Sequence, residues 1–157
     1  MVVPDPSVEV ISIADGVDSI SMPSRYEDRV FVGGAYSGPT ARWLNDIRDS
    51  VIACHRTPIM ARDFKIPVAF LRHYVEVLIT HSRLVVLELS LPSGAVNELE
   101  FLRHVVRPTL CLWTNASHRY PGLSQMCTNH PVFALNNRRF ADRGDIRRFV
   151  REFIMAW

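Results

Sequence analysis

The sequence predicts an α/β domain in which a mainly parallel, five-stranded sheet lies between two layers of helices. From residue 29 onward, short apolar runs alternate with longer segments whose apolar residues recur at helical spacing. The run at 84–89 is apolar on both faces, as in strands that helices cover on both sides. The chain has 157 residues, 48% hydrophobic and 22% charged, which is typical of one globular domain with a sizeable core. Together these observations predict a three-layer, flavodoxin- or Rossmann-like fold.

Two regions are predicted along the chain, an N-terminal extension over residues 1–28 and the α/β domain over residues 29–157. Within the extension, apolar and polar residues alternate twice over positions 8–13, and a turn signal, Ala-Asp-Gly, follows at 14–16. This pattern predicts a short strand or a hairpin in a segment that is otherwise partly flexible.

Three strands and two helices are predicted in the first half of the domain. Pro39 is a suitable first helical residue, and apolar residues at helical spacing follow it. The predicted elements are, in order, a strand at 30–32, a helix from Pro39 to about Cys54, a weak strand at 58–60, a helix over 67–82 and a strand at 84–89.

The second half continues with further strands and helices. Ser93 is a suitable N-cap for a helix over 94–105, and residues 142–157 have the pattern of an amphipathic helix. Apolar runs predict strands at 109–113 and 132–135. Parallel sheets of this kind bind ligands beyond the carboxyl ends of their strands, so we expect the functional residues in the loops that follow the strands.

The loop after the first predicted strand is rich in glycine. Its sequence is GGAYSGP, and its glycines let the backbone approach a ligand, while the helix N-terminus that follows favours an anion. The spacing matches neither GxGxxG nor a P-loop. We expect Gly33, Gly34, Tyr36 and Ser37 to contact a ligand, although an ordinary strand-to-helix turn would have the same composition.

Glu98 is the first candidate for a catalytic residue. It lies about one and a half turns inside a predicted helix that begins at the ligand-binding edge, where the helix dipole favours an ionised carboxylate. Glu100 points about 200° away around the same helix, so the two carboxylates cannot share a site. Without further context, a solvent-facing helix residue is a simpler interpretation of Glu98 than a nucleophile.

Three segments together resemble one known family. They are VFVGGAYSG at 30–38, VVLELSLPSGAVNE at 85–98 and LSQM at 123–126. In this order and spacing, the chain is similar to nucleoside 2-deoxyribosyltransferase-like proteins. It is most similar to the branch that hydrolyses the N-glycosidic bond of 2′-deoxynucleoside 5′-monophosphates.

The resemblance implies roles for individual residues. Glu98 matches the catalytic nucleophile of the family. Ser93 and Gly94 match the turn that meets the 5′-phosphate, and Ser124 matches a phosphate-binding serine that a neighbouring subunit contributes. The resemblance therefore implies a homodimer that acts on a nucleoside or nucleotide. The family also carries an acid on the helix before the third strand, where Glu76 is the nearest acid but lies one residue out of register.

The chemistry of an N-glycoside agrees with two carboxyl groups. Cleavage of the C1′–N bond makes the sugar cation-like and puts negative charge on the departing base. A carboxylate such as Glu98 stabilises or traps the sugar, and an acid protonates the base. Glu76 and Asp63 are the candidates for that acid, and a surface ion pair with an arginine is the alternative role for each.

Aromatic residues after the strands could stack on a base. Tyr36, Phe64 and Trp113 all follow or end predicted strands, and Trp113 ends its strand at the expected binding edge. Packing in the core or in an interface is the alternative for each of them.

Composition excludes several other classes of protein. No run of about 18 apolar residues predicts a membrane span, and no basic face interleaved with aromatics predicts a nucleic-acid partner. Three separated cysteines and scattered histidines predict neither a disulfide framework nor a metal site, and we expect no cofactor. Residues 1–6 lack the features of a secretory signal, so we expect a cytoplasmic protein.

Two other functions remain open at this point. A TIR-like NAD glycohydrolase has a similar fold and also uses a glutamate after the central strands, although the first loop lacks features common in TIR domains. A catalytically silent module that binds or senses a nucleotide is the other alternative. Cleavage of NAD would indicate the first, and ligand-induced thermal stabilisation without turnover would indicate the second.

Overall fold

A five-stranded, all-parallel sheet with helices on both faces forms the centre of the computed structural model, which describes residues 8–14, 18–39, 41–90, 95–114 and 136–157. The predicted three-layer α/β fold is therefore confirmed. The elements are β1 (Val8–Ala14), β2 (Asp18–Pro23), β3 (Arg29–Gly33), α1 (Ala41–Ala53), β4 (Thr57–Ile59), α2 (Leu71–Thr80), β5 (Leu84–Glu88), α3 (Ala95–Leu102), β6 (Thr109–Trp113), β7 (Asn137–Arg139) and α4 (Arg143–Ala156).

The order of the strands across the sheet is β4-β3-β5-β6-β7. The chain steps outward from β3 to β4 and then returns across β3 to β5 and onward to β7. The direction of winding therefore reverses between β3 and β5, whose residues pair in parallel from Val30 with Leu84 to Gly33 with Leu87. In this fold class a crevice opens at such a reversal, beyond the carboxyl ends of the two strands.

Alternating side chains of the central strands enter two separate apolar layers. Val30 and Val32 pack with α1 and α4, whereas Phe31 packs with α2 and α3. In β5, Val86 and Leu87 divide between the same two layers. Because both faces of these strands are covered, the strands are apolar except for Arg29 at the start of β3 and Glu88 at the end of β5.

The hairpin of β1 and β2 packs on the layer that contains α2 and α3. The two strands pair antiparallel, and four of their apolar side chains are buried in that layer: Ile11, Ile13, Ile20 and Met22. The predicted extension thus contains a hairpin that contributes to the core. His73 Nε2 lies 3.0 Å from Ile13 O and joins the hairpin to α2.

Arg29, at the start of β3, is fully buried and joins the hairpin to the sheet. Its guanidinium donates to the carbonyl oxygens of Pro23 (2.8 Å), Ser24 (2.7 Å) and His81 (3.0 Å). It also forms an ion pair of 2.7 Å with the half-exposed carboxylate of Glu9. One charged side chain therefore connects β1, the end of β2, β3 and the end of α2.

The ends of several elements differ from the predictions. The helix predicted over 67–82 is a short 3-10 turn at Val68–Phe70 followed by α2, and α3 ends at Leu102 rather than 105. The strand predicted at 132–135 lies outside the described residues, and the fifth strand of the sheet is β7. Of the helices in the described part of the chain, none combines the length and the hydropathy needed to cross a membrane.

Candidate active site at the carboxyl edge of the sheet

A cavity of about 560 Å³ opens at the reversal between β3 and β5. One wall is the loop of residues 34–39 that connects β3 to α1, and the opposite walls are α2 and the first turns of α3. The cavity lies where the sheet topology predicts a ligand site, and its volume is in the range of small-molecule sites.

Glu98 lies in the first turn of α3 and lines this cavity. Its Oε2 atom is buried and has no hydrogen-bond partner among the described residues. Burial raises the pKa of Glu98 to about 7. The sequence analysis expected the helix dipole to keep this carboxylate ionised. Desolvation opposes that effect here, because no donor compensates for the water that Oε2 has lost.

Gly33 makes room for the Glu98 carboxyl group. A Cβ at position 33 would overlap Glu98 Oε2 and would lie 2.9 Å from Leu87 Cδ2. At the next position, a Cβ on Gly34 would lie 2.8 Å from Leu44 Cδ2 and 3.1 Å from Glu88 Cβ. Gly33 ends β3 and Gly34 follows it. Side chains approach the backbone closely at both positions, so neither has room for a Cβ.

Tyr36 extends from the same loop toward the neighbouring strand. Its hydroxyl oxygen accepts the backbone N–H of Ala61 at 3.0 Å, which fixes the ring across the cavity wall. Although the residue is 41% exposed overall, burial around the hydroxyl and, to a lesser extent, the charge of Glu98 raise the pKa of Tyr36 to about 12. The phenol is therefore protonated at neutral pH and has one hydrogen left to donate.

The other acid that lines the cavity is Glu76 on α2. Its carboxylate accepts Arg72 Nε at 3.2 Å, one helical turn away. The side chains of Arg72 and Glu76 are 70% and 28% exposed, respectively. The surface ion pair that the sequence analysis gave as the alternative is therefore formed, while Glu76 still contributes to the wall.

The rest of the wall is mainly apolar. It includes side chains from α2 and α3, namely Leu71, Val75, Ile79 and Phe101. Asn97 adds an amide beside Glu98. A few convergent polar groups within a mainly apolar surface are typical of sites for small organic ligands.

The structure brings together some of the other predicted site residues and separates others. Ser37 lines the cavity together with Gly34 and Tyr36. Asp63 and Phe64 are not among the residues that line it: Asp63 is exposed in a 3-10 turn, and Phe64 packs partly against the core. Ser93, Gly94 and Ser124 lie outside the described residues.

Trp113 is also absent from the described lining of the cavity. Its indole N–H donates to Asn137 Oδ1 in β7, and the guanidinium of Arg139 lies 4.1 Å from the centre of its ring. The aromatic face that we expected to be available to a base is thus covered by a cation, because β7 pairs beside β6.

Sequence reasoning missed Glu88, the last residue of β5. Its side chain is 1% exposed, and it accepts the backbone N–H of Ser90 at 3.0 Å. Burial raises the pKa of Glu88 to about 7, although the hydrogen bonds from Ser90 lower it. A glutamate inside a strand that is apolar on both faces was the signal for this burial.

Within the described residues, no cluster of three His, Cys, Asp or Glu side chains could hold a metal ion. Neither the models of known protein families nor the curated proteins contain a match to this chain.

Proposed function

We propose that this protein cleaves or transfers the N-glycosidic bond of (deoxy)nucleosides or nucleoside 5′-monophosphates, with Glu98 as the nucleophile. The observation that carries the proposal is the buried Glu98 Oε2 at the wall of the cavity, which has no hydrogen-bond partner in the part of the chain that the structure describes. An unpaired buried carboxyl oxygen costs stability, and such costs are concentrated at functional sites. The resemblance of the segments around Gly33 and Glu98 to nucleoside 2-deoxyribosyltransferase-like proteins supports the same conclusion.

The chemistry assigned to Glu98 requires a carboxylate beneath the anomeric carbon of a bound sugar. As the C1′–N bond breaks, positive charge develops on C1′ and the ring oxygen, and an adjacent carboxylate stabilises it or forms a covalent glycosyl intermediate. The low dielectric around Glu98 strengthens this attraction. Water or a second base then attacks C1′, which gives hydrolysis or transfer.

The test compares the wild type with Glu98→Gln and Glu100→Gln on a panel of nucleosides and nucleotides, with free base as the readout. Glu100 is a matched control because it lies on the same helix but is exposed and paired with Arg103 at 3.2 Å. We expect release of base by the wild type and Glu100→Gln, and a loss of at least about 1,000-fold in Glu98→Gln. Equal activity in all three proteins, or none in the wild type, would contradict the proposal.

We also propose a homodimer in which Ser124 of one subunit binds the 5′-phosphate in the site of the other, as the resemblance implies. Light scattering measures the mass of the assembly. Ser124→Ala is expected to raise KM for a nucleoside monophosphate and to leave KM for the corresponding nucleoside unchanged. A monomer at micromolar concentration would remove Ser124 from the site.

A second candidate is a nucleotide-binding module without turnover. The ion pair between Glu76 and Arg72 favours it, because this carboxylate is already engaged by a side chain of the same helix. Thermal stabilisation by a nucleotide, without release of base under any condition, would identify this function.

A further inference from the structure

Of the two carboxyl groups in the described lining of the cavity, Glu98 is the proposed nucleophile and Glu76 is already paired with Arg72, so neither is free to act as the acid for a neutral leaving base. Glu76 Oε1 already accepts Arg72 Nε at 3.2 Å, and the pKa of Tyr36, about 12, makes its phenol a poor proton donor at neutral pH. A neutral purine or pyrimidine leaves as an anion unless it is protonated, and such protonation typically contributes about 10²- to 10⁴-fold in rate. A base that already carries a positive charge leaves as a neutral molecule and needs no acid.

On the basis of the function proposed above, we propose that the preferred substrates are N-glycosides of positively charged bases, such as pyridinium and N7-alkylated purine nucleosides. One carboxylate, Glu98, is sufficient for their cleavage. A second carboxyl group was expected to protonate the leaving base. With a positively charged base this protonation is not needed.

The reaction balances without a further reactant. The C1′–N bond breaks, and its electron pair moves to the base, which becomes neutral. Glu98 stabilises C1′ or bonds to it, and water then adds to C1′ and displaces the carboxylate. The products are the free sugar, the neutral base and one proton, which water releases to the solvent through Glu98.

The surroundings of Glu98 are suited to such a cation. Its carboxylate lies in a mainly apolar cavity, where an opposite charge is attracted more strongly than in water. The ring of Phe101 adds an aromatic surface to the wall. Arg72 and Glu76 carry opposite charges and pair with each other at 3.2 Å, whereas Glu98 has no ion pair among the described residues.

A cationic substrate also activates the residue that attacks it. Burial raises the pKa of Glu98, so that much of the free protein carries a protonated carboxyl group at neutral pH. A positive charge bound beside the carboxyl group favours its ionised form and thus lowers its pKa. The other titratable groups of the described wall are Tyr36 on the loop after β3 and Arg72 and Glu76 on α2. A neutral nucleoside provides no such activation.

The experiment compares guanosine with 7-methylguanosine, which differ by one methyl group and one positive charge. Both are assayed as ribo- and deoxyribonucleosides and as 5′-monophosphates, with subtraction of the spontaneous reaction, and nicotinamide riboside is a second cation. We expect kcat/KM for the cationic member to exceed that for the neutral one by at least about 100-fold. The pH profile is measured with nicotinamide riboside, because the N1 proton of 7-methylguanosine itself titrates in this range. The kcat/KM for nicotinamide riboside is expected to rise with pH to a plateau, without a falling limb between pH 5.5 and 8.5. The activity is lost in Glu98→Gln and retained in Glu100→Gln.

The outcomes separate the two proposals. The assignment of charged substrates is overturned if the ratio of kcat/KM between the cationic and the neutral nucleoside is smaller than expected. It is also overturned if the pH profile of kcat/KM falls at high pH, because such a fall indicates an essential acid. If activity nevertheless depends on Glu98, the proposed glycosidase function stands. If neither member of the pair nor nicotinamide riboside is cleaved, the substrate assignment fails. If the wider panel of nucleotides gives no product either, the glycosidase function fails with it.

Discussion

The carboxyl group of Glu98 occupies the space beside Gly33 in which a side chain would begin, so that a Cβ at position 33 would overlap Glu98 Oε2. Gly33 is the last residue of β3, and Glu98 lies in the first turn of α3. A residue with a side chain at the end of β3 would therefore occupy the position of the carboxyl group. The glycine at this position determines where the proposed nucleophile lies.

Gly33→Ala is predicted to displace the Glu98 carboxyl group and to remove activity, because the new methyl group also meets Leu87 Cδ2 at 2.9 Å. We expect kcat to fall by at least about 100-fold, because displacing a reacting group by about 1 Å has an effect of this size in other enzymes. Thermal unfolding and circular dichroism verify that the variant folds. The matched control is Gly144→Ala in α4. Its new methyl group lies 3.1 Å from Oδ1 of Asp142, the residue that caps the start of this helix. Full activity in a folded Gly33→Ala protein would show that the position of Glu98 is not important.

The sequence predicted a parallel sheet between two layers of helices because both faces of the central strands are covered. Val30, Phe31 and Val32 are all fully buried, and a run of this kind is difficult to place other than in a central strand. The glycine loop and Glu98 were also identified, since the carboxyl ends of parallel strands meet at one edge of the sheet. For these parts, local pattern and topology were sufficient.

Other features depend on contacts between distant residues, which no local pattern contains. The indole N–H of Trp113 is paired and its ring lies beside a cation because β7 places Asn137 and Arg139 next to it. The raised pKa of Glu98 depends on how many donors reach Oε2, and none of the described residues provides one. The helix dipole, which can be inferred from sequence, favoured ionisation and was outweighed by desolvation.

Glu98→Gln is predicted to stabilise the protein at pH 8 more than at pH 4.5. Burial raises the pKa of Glu98 from 4.5 to about 7, so the folded state binds more protons than the unfolded state between these values. Stability conferred by the protonated carboxyl group is therefore lost as pH rises through this window. Each pKa unit corresponds to about 1.4 kcal/mol. At pH 8 the substitution is therefore expected to raise the free energy of unfolding by about 2 to 3 kcal/mol.

The measurement is urea denaturation of the wild type, Glu98→Gln and Glu100→Gln at pH values from 4.5 to 8. The exposed Glu100 provides a control that changes the same functional group on the same helix. A stability difference for Glu98→Gln that does not change with pH would mean that Glu98 is not desolvated in the folded protein. A stabilised and inactive protein is the result expected when a functional residue is held at a cost.

Arg29→Met is predicted to detach the β1–β2 hairpin from the sheet. The substitution leaves the carbonyl oxygens of Pro23, Ser24 and His81 without their donor, and each unpaired buried group costs about 1 to 3 kcal/mol. We expect the free energy of unfolding to fall by about 3 to 5 kcal/mol. The rate of amide hydrogen exchange is expected to increase most in β1 and β2. Arg56→Met is the control, since its ion pair with Asp28 is partly exposed and is expected to contribute less than about 1 kcal/mol. Equal effects of the two substitutions would show that Arg29 does not hold the hairpin.

Glu88 permits a comparison that separates its charge from its hydrogen bond. Its Oε1 accepts Ser90 N–H, and Ser90 Oγ in turn accepts Thr114 N–H at 3.0 Å, so the carboxyl group supports the ends of both β5 and β6. Glu88→Gln keeps an acceptor and removes the buried charge, and it is expected to stabilise the protein above pH 7, since burial raises the pKa of Glu88 to about 7.

Glu88→Leu removes the charge and the acceptor together and leaves Ser90 N–H unpaired. The leucine variant is therefore predicted to be less stable than the glutamine variant by about 1 to 3 kcal/mol. This difference should be the same at pH 5 and pH 8, because neither variant titrates at this position. If leucine and glutamine are equivalent in urea denaturation, the bond to Ser90 contributes nothing to stability. A difference that varies with pH would instead indicate that another titrating group responds to the loss of this bond.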